Sequence, residues 1–188
     1  MQQISNLNYF GILFMKNIAI TALSVALFAA AGSASAATAT GSFQVSAEVT
    51  GSCVVASADA ISFGSYDPTS THASAALDAQ GKVSVRCTAG STNVKVALDQ
   101  GSNAAGASTC AAPARQVKSA AGGLVSYGIF SNSAHDQAWA CDAANEQTIA
   151  SFASSLTPVD LVTYGRIPGG QNAAIGTYSD TVGVTVTF

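Results

Sequence analysis

The sequence predicts an all-β protein built as an antiparallel sandwich, and three observations carry that expectation. Segments of alternating apolar and polar residues recur along the chain, separated by stretches rich in Gly, Ser, Asn and Ala. A period of two is the signature of a strand with one buried face. Charged residues are only 9% of the chain and hydrophobic ones 48%, and small and β-branched residues fill much of the rest, a balance that favours sheet over helix. No helical period is sustained between the alternating segments, which argues for several short strands joined by turns.

The first segment is read as an export signal rather than as part of this fold. Lys16 precedes an apolar run from Ile18 to Ala31, and Gly32-Ser33-Ala34-Ser35-Ala36 supplies the small residues of a cleavage site. The run is shorter than the ~20 residues a membrane-spanning helix needs. Residues 1–36 are therefore expected to be a signal peptide, with 1–14 an upstream extension before Met15-Lys16. Cleavage after Ala36 leaves one domain's worth of mature chain.

The mature chain opens on an alternation, with Phe43, Val45, Ala47 and Val49 on one face and Gln44, Ser46, Glu48 and Thr50 on the other. Strands are then expected over 60–66, ending at Asp67-Pro68, over 81–88 with Val83, Val85 and Cys87 inward, and over 93–99 with Val94, Val96 and Leu98 inward. Segments 124–130 and 159–167 continue the series, and 100–112 and 131–146 read as loops. The chain closes on Thr181 to Phe188, where Val182, Val184, Val186 and Phe188 share one face. No later segment of the sequence is available to pair with that strand's outer edge. Exposed edges are templates for pairing with other chains, so strand-like segments at both ends point to an assembly subunit. Periodicity alone leaves open whether 43–49 pairs inside its own domain or in a neighbour.

The formal charge of −3 is dispersed, and the basic residues after the signal form no run, so nothing resembles a nucleic-acid footprint. The four cysteines, Cys53, Cys87, Cys110 and Cys141, contain no C-x-x-C spacing, which speaks against zinc. An even count behind a signal peptide reads as two disulfides formed in an oxidising compartment, the periplasm or outside. Of the three possible pairings, context favours Cys53–Cys87, beside alternating segments, with Cys110–Cys141, both in loop-like sequence.

Several motifs then resemble the spore coat protein U family, which includes subunits of archaic (Csu-type) chaperone–usher pili. They are Thr40-Gly41 before Cys53, Phe63-Gly64, Val83-Ser84-Val85-Arg86-Cys87-Thr88, Val96-Ala97-Leu98-Asp99 with Gly101, and Val125-Ser126-Tyr127. Tyr164-Gly165-Arg166-Ile167-Pro168 and Gly176-Thr177-Tyr178-Ser179-Asp180-Thr181 complete the set. The resemblance implies an incomplete immunoglobulin-like sandwich over 50–188, completed by a donor strand from a neighbouring subunit. It implies that 37–49 is that donor, with Phe43, Val45, Ala47 and Val49 entering the neighbour's groove. The C-terminal strand, with Val182, Val184, Val186 and Phe188, would form the acceptor groove and face a periplasmic chaperone before assembly. Implied partners are other copies or related pilins, that chaperone and an outer-membrane usher, with no nucleic acid. The implied role is a surface pilus subunit in adhesion and biofilm formation, and the alternative is a secreted spore-coat or envelope matrix protein using the same domain.

Catalysis finds little support. His72 and His135 are expected in solvated loops, His135-Asp136 lacks a nucleophile elbow, and Gly169-Gly170 after Pro168 reads as a turn rather than a phosphate cradle. No catalytic residue, metal ligand or cofactor is expected. Trp139 is expected to cover a sheet end, Tyr164 and Tyr178 to pack in the core or at its edge, and Asp180 to order the turn before the last strand.

Overall fold

The computed structural model describes residues 36–188, and the expected signal segment lies, but for Ala36, outside the described residues. The chain divides into two units, 1–45 and 46–188. Of the first, residues 36–45 carry no regular secondary structure and are exposed.

The second unit is all-β, as the alternating pattern requires. Its strands are β1 (Cys53–Asp59), β2 (Leu77–Cys87), β3 (Thr92–Leu98), β4 (Arg115–Ser119), β5 (Leu124–Phe130), β6 (Gln147–Ser151), β7 (Val159–Ile167), β8 (Tyr178–Ser179) and β9 (Val184–Thr187). They form a six-stranded sheet in the order β1-β2-β7-β5-β4-β8 and a three-stranded sheet in the order β6-β3-β9. Every pairing is antiparallel. The inward rows of both sheets make one core, from Val83, Val85, Val125 and Ile129 on the larger sheet to Val94, Val96 and Leu98 on the smaller.

Several elements differ from expectation. Residues 60–66 alternate but form no strand: Ile61, Phe63 and Tyr66 pack against the core without a ladder partner, and Gly64 turns the backbone at φ +76°. The strand in that part of the chain lies upstream, as β1. The terminal strand begins at Val184, later than its alternation, and the residues before it bond the end of β3 and its loop instead: Gly183 accepts the Asp99 N–H at 3.0 Å and Thr181 the Ser102 N–H at 2.9 Å. Ser84, expected outward, is buried and donates to Asp160 Oδ1 at 2.6 Å.

Trp139 lies in a loop but is fully buried, its Nε1–H donating to the Val96 carbonyl at 2.9 Å, so it plugs the core instead of covering a sheet end. The histidines are not solvated either. His72 is buried and stacked on Tyr66 at 5.0 Å. His135 sits edge-on to Phe130 and Tyr164, with only 7% of its side chain exposed, and its Nε2 lies 3.7 Å from Asp78. Disulfides join Cys53 to Cys87 and Cys110 to Cys141. Among the described residues no helix is long and apolar enough to cross a membrane.

Candidate strand-acceptor groove

The two sheets do not close on each other along one side. Strand β1 pairs only with β2, and β9 pairs only with β3, so each presents a free edge. A bulge between Val55 and Ser57 keeps β1 in phase with β2: Cys53, Val55 and Ala58 lie opposite Cys87, Val85 and Val83. Directly opposed residues point to the same side of a sheet, so Val55 and Ala58 are on the core face. Yet Val55 is 40% exposed while Val85 is fully buried. Val55 is thus a core-face residue of an edge strand that solvent reaches, although it is not itself part of the groove lining.

From Ala58 onward opens a groove of about 1130 Å³, slightly larger than the ~300–1,000 Å³ cleft of a small-molecule site. Its walls are the inward side chains of both sheets, including Val83, Leu98, Val125 and Ile129, with Ile61 and Phe63 from the segment after β1. Val182 and Val184 line it from the C-terminal segment. Val186 packs against the core, and Phe188 lies beyond β9 and is 63% exposed.

One end of the groove is polar and fixed. Tyr127 lines it and donates its hydroxyl to Asp180 Oδ2 at 2.7 Å, while Asn103 donates its backbone and side-chain N–H to Asp180 Oδ1. Asp180 therefore ties the start of the last segment to β5 and to the loop after β3, a tertiary clamp rather than the local turn expected. Burial, followed by the bond to Asp180, raises the Tyr127 phenol above its ordinary pKa, which keeps it a neutral donor. Behind it Arg115 is 1% exposed and donates to the carbonyls of Leu98, Asp99 and Trp139, pinning the end of β3 and the Trp139 loop together. Burial lowers its pKa, and the three carbonyl oxygens that share its Nε and Nη2 protons hold its charge in place. Neither Arg115 nor Asn103 stands out in the sequence, where one is an isolated basic residue and the other an ordinary loop amide.

The remaining expected residues fall elsewhere. Phe43, Val45 and Val49 are 88%, 81% and 81% exposed, Ala47 is exposed, and 43–49 carries no strand pairing. Tyr178 donates to the Ala174 carbonyl and lines the groove, whereas Tyr164 lies on the outer face of the sheet beside His135. Gly169-Gly170 forms a turn, and Gly169 is pressed against the Ser74 carbonyl with no room for a Cβ. His135 and Asp136 form no base-and-orienter pair, since the Asp136 carboxylate takes the Asn132 amide. Among the described residues no cluster of three His, Cys, Asp or Glu could hold a metal.

Residues 39–185 match the Spore Coat Protein U domain. The chain belongs to that family. It is 37% identical over 161 residues to Protein U of Myxococcus xanthus, covering 82% of this chain and 88% of that protein. Its fold is similar to one chain of the CsuC–CsuE chaperone–tip adhesion subunit pre-assembly complex from the archaic chaperone–usher Csu pili of Acinetobacter baumannii. The TM-score is 0.51 and the identity 25%, with 74% of this chain covered. The chain spans only 40% of that matched chain's length. A spore coat U domain with an open side is thus an all-β pilin-type fold that lacks the strand closing its groove.

Proposed function

We propose that the protein is a structural subunit of an archaic chaperone–usher pilus that polymerises by exchanging strands, with no catalytic turnover. The observation that carries this reading is the coexistence in one chain of an uncovered apolar groove and an unpaired alternating segment. The groove lies over the inner faces of the two sheets and reaches the end of β1 at Ala58 and Asp59 and the start of β9 at Val184. The segment 43–49 is exposed on both faces. A strand laid along β9 would satisfy its free N–H and C=O groups and bring alternate side chains over the core-face residues that solvent now reaches. Each large apolar side chain so buried contributes roughly 1.5–3 kcal/mol.

In this reading residues 37–49 are the donor, with Phe43, Val45, Ala47 and Val49 inward, and Val182, Val184, Val186 and Phe188 form the acceptor row. A periplasmic chaperone covers the groove first, and a second copy or a related pilin replaces it at an outer-membrane usher. The similarity to a chaperone–subunit pre-assembly complex supports this order. The signal at 1–36 would export the chain to the periplasm and from there to the cell surface, where the fibre serves adhesion and biofilm formation.

The second reading is a secreted coat or envelope matrix protein, favoured by the 37% identity to Protein U over most of that protein's length. Deletion of 37–49 tests the donor assignment. Chaperone binding should survive and self-assembly should be abolished, whereas a truncated chain that still polymerises contradicts it. Recovery of the intact protein as fibres from the cell surface, dependent on the usher, separates the pilus from the coat.

A further inference from the structure

The donor segment and β1 are arranged in sequence like a hairpin that the structure does not form. Residues 43–49 are seven residues long, and β1 is also seven, Cys53–Asp59. Between them lies Thr50-Gly51-Ser52, a glycine-containing three-residue link of the kind that joins hairpin arms. Closure would pair 43–49 with the free edge of the chain's own β1, on the side of its own groove, and remove the subunit from assembly.

The link is instead held on the opposite edge of β1, against the end of β2. Ser52 donates its N–H to Thr88 Oγ1 at 3.0 Å and accepts the Thr88 N–H at 2.8 Å. The Thr88 hydroxyl lies 3.3 Å from the Thr50 carbonyl and 3.4 Å from that of Ser52, so its single proton goes to one of them while its oxygen accepts Ser52. These bonds continue the β1–β2 pairing past the Cys53–Cys87 disulfide to residue 50. A chain held at residue 50 on the β2 side cannot turn at residue 51 toward the other edge.

Ser52 occupies the position that such a turn would have to change. Its φ lies outside the left-handed region and the residue is exposed. A β-branched side chain is therefore tolerated there in the present conformation, whereas a three-residue hairpin loop asks its third residue for the left-handed region that such a side chain resists.

We propose that Thr88 is a positioning residue whose hydroxyl holds 50–52 in line with β1 and keeps the donor from closing on its own subunit. The inference rests on 43–49 being the donor. Thr88 is not among the residues that line the groove, so changing it removes no groove side chain.

The test places the photo-cross-linker p-benzoylphenylalanine at position 43 of the mature chain and measures intramolecular against intermolecular products by mass spectrometry. In the parent protein the intermolecular product should dominate. Thr88→Val and Thr88→Ala should raise the intramolecular share by about fivefold, the equilibrium weight of one net hydrogen bond. Thr88→Ser, which keeps the hydroxyl, should match the parent. Adding Ser52→Val to Thr88→Val should return the ratio to the parental value, an effect that simple loss of stability would not give. The ratio is independent of how much folded protein each variant yields. An unchanged ratio in both Thr88→Val and Thr88→Ala, or no reversal by Ser52→Val, overturns the role of Thr88. A parent that forms no intermolecular product at all overturns the donor reading and this inference with it.

Discussion

Replacing Arg115 with Met removes the buried charge behind the groove while keeping most of the side chain's apolar length. The guanidinium bonds three carbonyls, those of Leu98, Asp99 and Trp139. Asp99 is exposed, so water can take over its carbonyl, but Leu98 and Trp139 are 2% and 0% exposed and their carbonyls lose their donor outright. Each orphaned buried acceptor costs about 1–3 kcal/mol. Against this, Met no longer has to be stripped of the hydration that a guanidinium loses on burial, which returns part of the cost. A net loss of about 2–3 kcal/mol follows, or a fall in Tm of about 5–10 °C for a domain of this size. Thermal unfolding of the purified mature chain can be followed by Trp139 emission. This is the only tryptophan in the sequence, and its own carbonyl is one of the three acceptors. Lys118→Met, on the exposed side of the same strand, is the control and should shift stability by less than about 0.5 kcal/mol. Arg115→Lys should recover only part of the loss, because an ammonium lacks the planar fork that reaches several carbonyls at once. If Arg115→Met unfolds within about 1 °C of the parent, the charge is not what fixes this end of the groove.

Two further predictions concern the other bonds that hold the sheets. Replacing Cys53 and Cys87 together by Ala opens a loop of 34 residues, and the chain-entropy relation gives a loss of about 3–4 kcal/mol, readable as a lowered denaturation midpoint. A change below about 1 kcal/mol would mean that β1 holds its place by pairing alone. Asp78 accepts a two-pronged hydrogen bond from Arg166, which holds its carboxyl below the usual range, with the charge of His135 adding to the effect. A depressed folded-state pKa contributes stability above the unfolded value of about 3.9 that is lost as pH falls through the folded one. The stability difference between the parent and Asp78→Asn should therefore be full near neutrality and shrink below about pH 4, and a difference that stays constant into acid would refute the pairing.

Much of the fold is legible in the alternation. Strands β5 and β7 begin and end where their apolar rows do, and Val94, Val96 and Leu98 are buried as their spacing requires. The remainder escapes for physical reasons. Strand β4 carries Arg115 at an inward position, which reads as a solvent-facing charge until its carbonyl partners are known. Strand β6 offers a single buried apolar residue, Ile149, and β8 is only two residues long, so neither has a period to detect. In 60–66 the alternation is genuine but reports which way side chains face, not whether the backbone has a partner. The terminal alternation gave β9 with one edge open, whereas 43–49, which alternates as well, carries no strand in the structure. The polar end of the groove was not legible, because Asn103, Arg115, Tyr127 and Asp180 meet only through tertiary contacts across 77 residues. Thr88 closes one of the motifs that carry the family resemblance, but its bonds to 50–52 are not readable from it, since a threonine after a strand cysteine has many ordinary roles.

The central claim is that 43–49 of one copy fills the groove of the next with Phe43, Val45, Ala47 and Val49 inward. Adjacent residues of a strand leave on opposite faces, so Val45 and Ser46 separate the two sides of that claim. A carboxylate forced into an apolar groove without a partner costs several kcal/mol, while one on the outer face meets water. The decisive measurement compares surface polymer recovered from cells expressing Val45→Asp or Ser46→Asp at matched subunit levels. The account predicts a loss of about tenfold or more for Val45→Asp and near-parental yield for Ser46→Asp. Equal yields, or the larger defect from Ser46→Asp, would contradict it.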